Sequence, residues 1–577
     1  MSGGRAADTL YVVTSGDGWG PGGAVWTGTR DRAGELIRTD AVAVADGVIV
    51  ALGHEALERR GSSTEVVELA GRTLVPGFRD GHLHPLAGGV ETLDCDLVDA
   101  ADVAEVLARL GAYAADHPDR PWVLGYGYAP ELLAHGVGQA STLDRVVGER
   151  PVALWSSDHH MVWCNTRALT VAGITAATPD PPRGTIVRDE AGRPVGTLLE
   201  EAELLLEAHL PPRGVDKEAA GLLVGLDRMA TAGLVWAQDA WTTPATLPAF
   251  QRVADAGQLT ADLDLAFKVE VERWAEQVPA FEAARRDAAL AASRRQQDGV
   301  PGGRLTATTV KFFVDGVIEG GTAAMLEPYE PFGPAGAGCG DGTGGHEHGI
   351  ANWEPDELLA AAAAMDAAGF QLHLHAIGDA AVRLALDTFA AVAERNGPRD
   401  RRPVVAHSHL VHPADRPRFA ALGAIANFEP LWAQRNEIMT ELTEPRLGPD
   451  RSAWQYPIAS VRRTGAHISF GSDWPVSSHV PMHGIAVAVT RRGASGQGAR
   501  AAFLPEEAVD LDTALSAYTA GSAYQAGDED VAAGIAVGQR ADLALLAADL
   551  SVLAPDDLHH VEVAGTWLAG VPVHRTD

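Results

Sequence analysis

The sequence predicts an α/β fold: a distorted (β/α)8 barrel with a small composite β-sandwich domain formed by both chain ends. Three observations predict it. Short apolar strands lie near both ends, strand-like and helix-like runs alternate through a long middle, and several middle strands end on histidine, lysine or aspartate. With 577 residues, 46% of them hydrophobic, the chain is long enough for one large barrel and a smaller partner, and too apolar for general disorder.

Taken in order, the first 74 residues carry apolar runs at 10–13, 41–44, 48–52 and 66–69, separated by turns such as Ala45-Asp46-Gly47. That is the texture of an antiparallel β unit. Runs at 541–546, 561–564 and 566–568 repeat it around Gly565, so 1–74 and 526–577 are expected to form two parts of one sandwich, with the barrel over 75–525. Strand-like runs in the middle fall at 152–155, 235–238, 310–314, 371–375, 404–406, 424–428 and 467–470. Segment 355–368 is Ala-rich, with Glu357 near its start and Gly369 just past its end, which predicts a helix with a glycine stop. Segment 269–303 reads as solvated helix and linker. Segment 333–349 has eight glycines in seventeen residues, with His346 and His348, and reads as a flexible loop where a barrel would carry a lid.

Composition narrows the function classes. No run approaches the ~20 apolar residues of a membrane-spanning helix, and residues 1–10 lack the apolar core of a secretory signal. A cytoplasmic protein is therefore expected. Cys95, Cys164 and Cys339 are too few and too scattered for a disulfide framework or a thiolate zinc site, which fits a reducing compartment. A formal charge of −32 disfavours nucleic acid and anionic membranes, leaving a small-molecule substrate. Only three lysines occur, Lys217, Lys268 and Lys311, so the position of each is informative.

The chemistry-bearing residues begin with Val75-Pro76-Gly77-Phe78-Arg79-Asp80-Gly81-His82-Leu83-His84-Pro85. Residues two apart in an extended segment share a face, so the imidazoles of His82 and His84 can point at one ion. Lys311 lies in Thr309-Val310-Lys311-Phe312-Phe313-Val314-Asp315-Gly316, among strand-forming apolar residues. A buried ammonium must be paired, neutralised or modified. Either it pairs with Asp315 or snorkels to solvent, or its neutral amine has captured carbon dioxide as a carbamate that bridges two cations. Gln371-Leu372-His373-Leu374-His375 and Val404-Val405-Ala406-His407-Ser408-His409 each bring two histidines to a strand end, where barrel enzymes keep their functional groups. Finally, Ile468-Ser469-Phe470-Gly471-Ser472-Asp473 delivers an acid off a strand: either a turn cap, or a ligand and general base.

Together these segments resemble the amidohydrolase superfamily, in particular the branch of N-substituted formamide deformylases and related metal-dependent hydrolases. Asp158-His159-His160-Met161-Val162-Trp163-Cys164-Asn165 and Gly538-Gln539-Arg540-Ala541-Asp542-Leu543 strengthen the likeness, which covers nearly the whole chain. The resemblance implies a TIM-type barrel in which His82, His84 and Asp473 hold one divalent cation and His375 and His407 a second. Lys311, carbamylated, would bridge the two zinc ions; a single-metal site with a plain lysine is the alternative. His373 and His409 would stand behind the ligands or face substrate, while His160, Trp163 and Glu200 would reach toward it. The implied reaction is hydrolysis of a non-peptide C–N bond, with Asp473 and Lys311 as catalytic residues and Asp473 moving the proton. A cyclic amide, carbamate or ester would use the same site, and a catalytically inactive barrel serving as a binding protein is the rival from another class. A homodimer is compatible with the resemblance. Arg79 and the run Ala406-His407-Ser408-His409 depart from the family pattern and are expected to alter the polarity of the pocket.

Overall fold

Eight strands lie side by side in chain order: β1 (Phe78–Leu83), β2 (Leu234–Thr242), β3 (Asp262–Lys268), β4 (Leu305–Phe313), β5 (Gln371–Ala376), β6 (Val404–His407), β7 (Ile425–Phe428) and β8 (Ile468–Phe470). The computed structural model describes residues 6–13, 24–30, 36–331, 347–494 and 501–576. Every neighbouring pair is parallel. The ring is drawn together between β1 and β8 just beyond the strand ends. There the Asp473 amide donates to the His82 carbonyl at 2.8 Å, and the His84 amide to the Trp474 carbonyl at 2.9 Å.

Alternate strand residues divide between the inside of the ring and the helices around it. On β4, Val310 and Phe312 are fully buried and belong to the large apolar core, whereas Thr309 hydrogen-bonds to Gln238, Asp264 and Gln371, polar side chains of β2, β3 and β5. The expected Ala-rich helix is present as Pro355–Ala367, with Pro355 in its first turn and Gly369 at φ +85° beyond its end. Segment 269–303 is mostly one helix, Trp274–Asp298, which buries Phe281, Ala284 and Ala288 and stops at Gly299 with φ +68°. No helix among the described residues is long and apolar enough to cross a membrane.

Two strand expectations shift. The run at 152–155 is not in the barrel. As Val152–Ser156 it belongs to a six-stranded sheet with Cys95–Asp96, Val123–Tyr128, Met161–Cys164, Gly184–Arg188 and Pro194–Glu200, all within the long connection from β1 to β2. A short, wholly apolar strand reads the same in either sheet. Conversely, the acids of β3 hid a true barrel strand. Asp262 is neutralised by Arg304 and Arg540 at 2.7 and 2.8 Å, and Asp264 accepts from the hydroxyls of Thr306, Thr308 and Thr309 at 2.6–2.8 Å.

The two chain ends do build a shared β domain. Its six-stranded sheet joins a block of Ala24–Arg30, Leu36–Thr39 and Thr73–Pro76 to a block of Leu543–Leu546, Val563–Leu568 and Val571–Arg575, the two meeting where Thr73–Pro76 pairs with Leu543–Leu546. A four-stranded sheet of Thr9–Val12, Ala41–Ala45, Val48–Leu52 and Glu65–Glu68 packs on it through Tyr11, Ile49, Leu543 and Trp567. The Tyr11 and Trp567 rings meet edge to face at 5.2 Å. Gly565 lies inside one continuous strand rather than in a turn.

Arg79 does not touch the pocket, contrary to expectation. It sits near the N-terminal start of β1, fully buried, stacked over Trp236 at 4.9 Å and bound to Asp528 at 2.7 Å. Removing one partner of a buried pair strands the other charge. Asp528→Ala should therefore cost about 3–5 kcal/mol of stability, read as a lower urea midpoint, with the mouth of the barrel unaltered. A midpoint equal to that of the parent protein would show that Arg79 is satisfied otherwise.

Candidate active site

The site is assembled at the C-terminal ends of the strands, where the chain leaves the ring and side chains turn toward its axis. His82 is the penultimate residue of β1 and His84 the first beyond it; Lys311 is two residues from the end of β4; His375 is the penultimate residue of β5; His407 closes β6; and Asp473 follows β8 by three residues. Ladder register sets Phe313 beside His375 and Ala376 beside His407. His407 and Asp473 have left-handed backbones, φ +72° and +52°, a conformation that costs about 1–3 kcal/mol at a non-glycine residue and persists where surrounding contacts hold it.

Ligand atoms of His82, His407 and Asp473, all buried, lie within 4.8 Å of one another. Among the described residues this is the one group of histidine, cysteine or acidic side chains so placed. His82 Nε2 is 3.4 Å from Asp473 Oδ1. A cation bonded at about 2.0–2.2 Å sets tetrahedral ligand pairs about 3.4 Å apart, so the spacing fits a bound divalent ion. The donor set, two imidazoles and a carboxylate, suits zinc and similar metals.

The remaining predicted ligands surround this group. His84 Nε2 lies 2.9 Å from Asp473 Oδ1, and its Nδ1 is 3.8 Å from Asp239 Oδ1. Lys311 Nζ is 3.1 Å from His82 Nε2. It makes no ion pair with Asp315, whose carboxylate instead accepts the amides of Ala324, Ile377 and Gly378 at 2.8–3.0 Å. The His375 ring is 4.5 Å from that of His407, with Nε2 3.1 Å from the Gly316 carbonyl. The tight group thus takes two members from one expected cation site, His82 and Asp473, and one from the other, His407.

Electrostatics follow from burial. Desolvation pushes His82, His373 and His375 well below the ordinary imidazole range, helped by neighbouring cationic groups, so these rings are neutral, and those of His82 and His375 that reach the cavity can offer a lone pair to a metal. Burial also lowers the Lys311 amine to about 7, against the pull of Asp473 and Glu429. For His84, burial is outweighed by the hydrogen bonds and charges of Asp239 and Asp473, which raise it to about 9. Burial would raise Asp473, but His84, His407 and Lys311 together hold it below the usual carboxylate range.

The expected substrate-facing residues separate into three groups. His160 and Glu200 line the cavity above the site, paired at 2.9 Å, with the His160 ring 5.9 Å from that of His375. His409 also lines it, stacked on Tyr456 at 4.1 Å and bound to Gln455 at 2.7 Å. His373 does not face substrate. It is fully buried behind His82, with Nε2 2.9 Å from His82 Nδ1 and Nδ1 2.5 Å from Gln238 Oε1. Trp163 does not face substrate either, because it fills the core of the inserted sheet and donates its indole N–H to the Gln139 carbonyl at 3.0 Å. The Gly-rich segment and His346 fall outside the described residues apart from 347–349, where His348 Nδ1 meets the Met325 carbonyl at 3.0 Å.

Three acids were given no role by the sequence, Asp80 standing in the first motif without one. Glu429, fully buried just past β7, holds His407 Nδ1 at 2.9 Å, which fixes the ring in the way outer carboxylates orient metal-binding histidines. Asp239 on β2 flanks His84. Asp80 accepts the amides of His82 and Ser472 at 3.0 and 3.1 Å, tying β1 to the segment after β8. An acid at the end of an apolar strand, as in Asn427-Phe428-Glu429, is the signal that marked Asp473 and could have marked Glu429. The cavity above these groups measures about 1160 Å³ and opens beneath the inserted sheet.

Residues 65–574 match the profile of the amidohydrolase family. The chain is similar to the putative amidohydrolase YtcJ of Bacillus subtilis, 27% identical over 96% of this chain and 99% of that one. It is also similar to the N-substituted formamide deformylase of Arthrobacter pascens, 27% identical over 92% and 94% of the two chains. An uncharacterised metal-dependent hydrolase from Pyrococcus horikoshii shares its fold, with a TM-score of 0.67 and 20% identity over 95% of this chain and 98% of that one. A family profile that spans most of the chain, over a barrel whose strand ends gather histidines and an aspartate, places this protein in the amidohydrolase family.

Proposed function

We propose that this protein is a metal-dependent hydrolase that cleaves a non-peptide C–N bond of a small molecule, with N-substituted formamides as the first class to test. One observation carries the reading: His82, His407 and Asp473, from strands far apart in the sequence, bring three metal-binding atoms within 4.8 Å of one another at the barrel mouth. A divalent cation held there would supply Lewis acidity toward a carbonyl oxygen and lower the pKa of water to about 7. Asp473, ionised beside His84, accepts the proton of the attacking water and passes it to the leaving nitrogen. His160, raised to about 9 because Glu200 outweighs the effect of burial, faces the cavity as a proton-bearing donor to the developing oxyanion.

A second cation is favoured by Lys311. Its buried amine is lowered to about 7 and lies 3.1 Å from His82, so an appreciable fraction is neutral near pH 7 and able to add carbon dioxide, with loss of one proton, as a carbamate. A carbamate there would offer a second cation a negatively charged oxygen ligand, and His84 and His375 are the nearby imidazoles that would complete its site.

Metal analysis of the purified chain, followed by a screen of N-substituted formamides, acylated amino acids and cyclic amides, tests the proposal. At least one ion per chain and turnover abolished by a chelator are expected. Metal content well below one ion per chain would reject it in favour of a binding protein, and selective hydrolysis of cyclic amides, carbamates or esters would redirect the substrate class. Two ions per chain and an intact mass increased by one carbon dioxide identify the bridged pair.

A further inference from the structure

Lys268 closes β3 and is half-buried in the wall of the same cavity. In the ladder it stands directly beside Lys311, and both ammonium nitrogens approach the Phe313 ring, Lys268 at 5.5 Å and Lys311 at 4.8 Å. Lys268 also lies over the Trp241 ring at 4.4 Å. Two aromatic faces hold a cation in place without neutralising it. Lys268 forms no ion pair among the described residues.

The surrounding wall is acidic, and several of its carboxylates have hydrogen-bond partners other than Lys268, although Glu203 also feels the Lys268 charge. Glu203 accepts the Trp155 indole N–H at 3.1 Å, Glu270 binds Arg273 at 2.8 Å, Glu201 and Glu272 share Arg183 at 2.7 and 2.6 Å, and Glu200 holds His160. These acids repel an anion over the rest of the wall. The side chain of Lys268 is left with a positive charge, a rigid aromatic seat and open space in front of it, beside the strand that carries Lys311 into the site.

We propose that Lys268 binds a carboxylate of the substrate, so that the amide cleaved at the metal site is a carboxylate-bearing one, such as an N-acylated amino acid. This rests on the hydrolase reading above and narrows its substrate class. An ammonium–carboxylate contact made in a partly desolvated cavity is among the stronger hydrogen bonds available to a protein. It fixes the far end of the substrate while the carbonyl faces His82, His407 and Asp473. Lys268 is thus a specificity residue rather than a member of the reacting group.

The test uses the metal-loaded protein and N-formyl-, N-acetyl- and N-benzoylglycine, each paired with the same amide carrying a methyl group in place of the carboxymethyl. The parent protein should prefer the acid of at least one pair. Lys268→Gln should lower kcat/KM for that acid by about ten- to a hundredfold, mainly through KM, and leave the neutral twin within about threefold; Lys268→Arg should keep most of the preference. Equal losses on acid and twin in Lys268→Gln, or no preference in the parent, would overturn the proposal. Calorimetric binding of N-benzoylglycine separates the two readings. Binding by the parent that is lost in Lys268→Gln, with no amide hydrolysed, would sink the hydrolase reading and keep this one. Hydrolysis without discrimination would do the reverse, and failure of the parent to bind the acid would also overturn the assignment.

Discussion

Asp473→Asn should lower kcat by at least about a hundredfold, the lower end of what a positioned acid–base group contributes, while the thermal midpoint of the metal-free protein stays close to that of the metal-free parent. The backbone argument for an intact fold is specific. Asp473 has φ +52°, and asparagine is among the few residues that adopt the left-handed region readily. Its amide still donates to the His82 carbonyl, so the contact between the first and last strands survives. What is lost is an ionised oxygen that can take a proton and bind a cation. His84, raised to about 9 through Asp239 and Asp473, should also lose part of its basicity. Retention of more than about a tenth of the activity would remove Asp473 from acid–base work.

Lys311→Ala should be inactive and lose metal, and a short carboxylic acid such as formate, acetate or propionate should partly restore turnover. Groups that merely stand behind metal ligands cost about 10–100-fold when removed, and a bridging ligand should cost more. Rescue is the informative arm. A free carboxylate can occupy the space of a carbamate but cannot replace an ammonium, so rescue supports the bridge and its absence supports a plain lysine beside one ion. Lys311→Met, which keeps most of the side-chain volume in a fully buried position, guards against collapse of the site. Full activity in the Lys311→Met variant would leave Lys311 no part in the chemistry.

Much of this site was legible in the sequence because barrel chemistry is concentrated at strand ends, where an apolar run followed by a polar residue is a local pattern. His375, His407 and Asp473 carried it, whereas His82 and His84 were marked by their His-x-His spacing and Lys311 by its place among apolar residues. Other features depended on three-dimensional partners. The insertion hid its strand Val152–Ser156 behind an apolar run like that of a barrel strand, and β3 was masked by acids whose neutralising partners, Arg304 and Arg540, lie far along the chain. Trp163 stood in a motif with His159 and His160, which line the cavity, yet an indole N–H satisfied by the Gln139 carbonyl and a ring filling the inserted core place it away from the cavity. That His375 rather than His373 faces the cavity is likewise tied to hydrogen bonds such as that from His373 to Gln238, which spacing alone does not reveal.

The two ends of the barrel meet through His82, His84 and Asp473, and 389 positions separate His84 from the aspartate it touches. During synthesis on the ribosome, nearly the whole barrel must therefore emerge before the last of these groups is available. Loading of an ion would then report that the ring has closed. Because an ion that binds only the closed ring stabilises it by mass action, acquisition of metal and final closure become one event, and a chelated protein should exchange the amide protons of His84 and Asp473 before those of the outer helices.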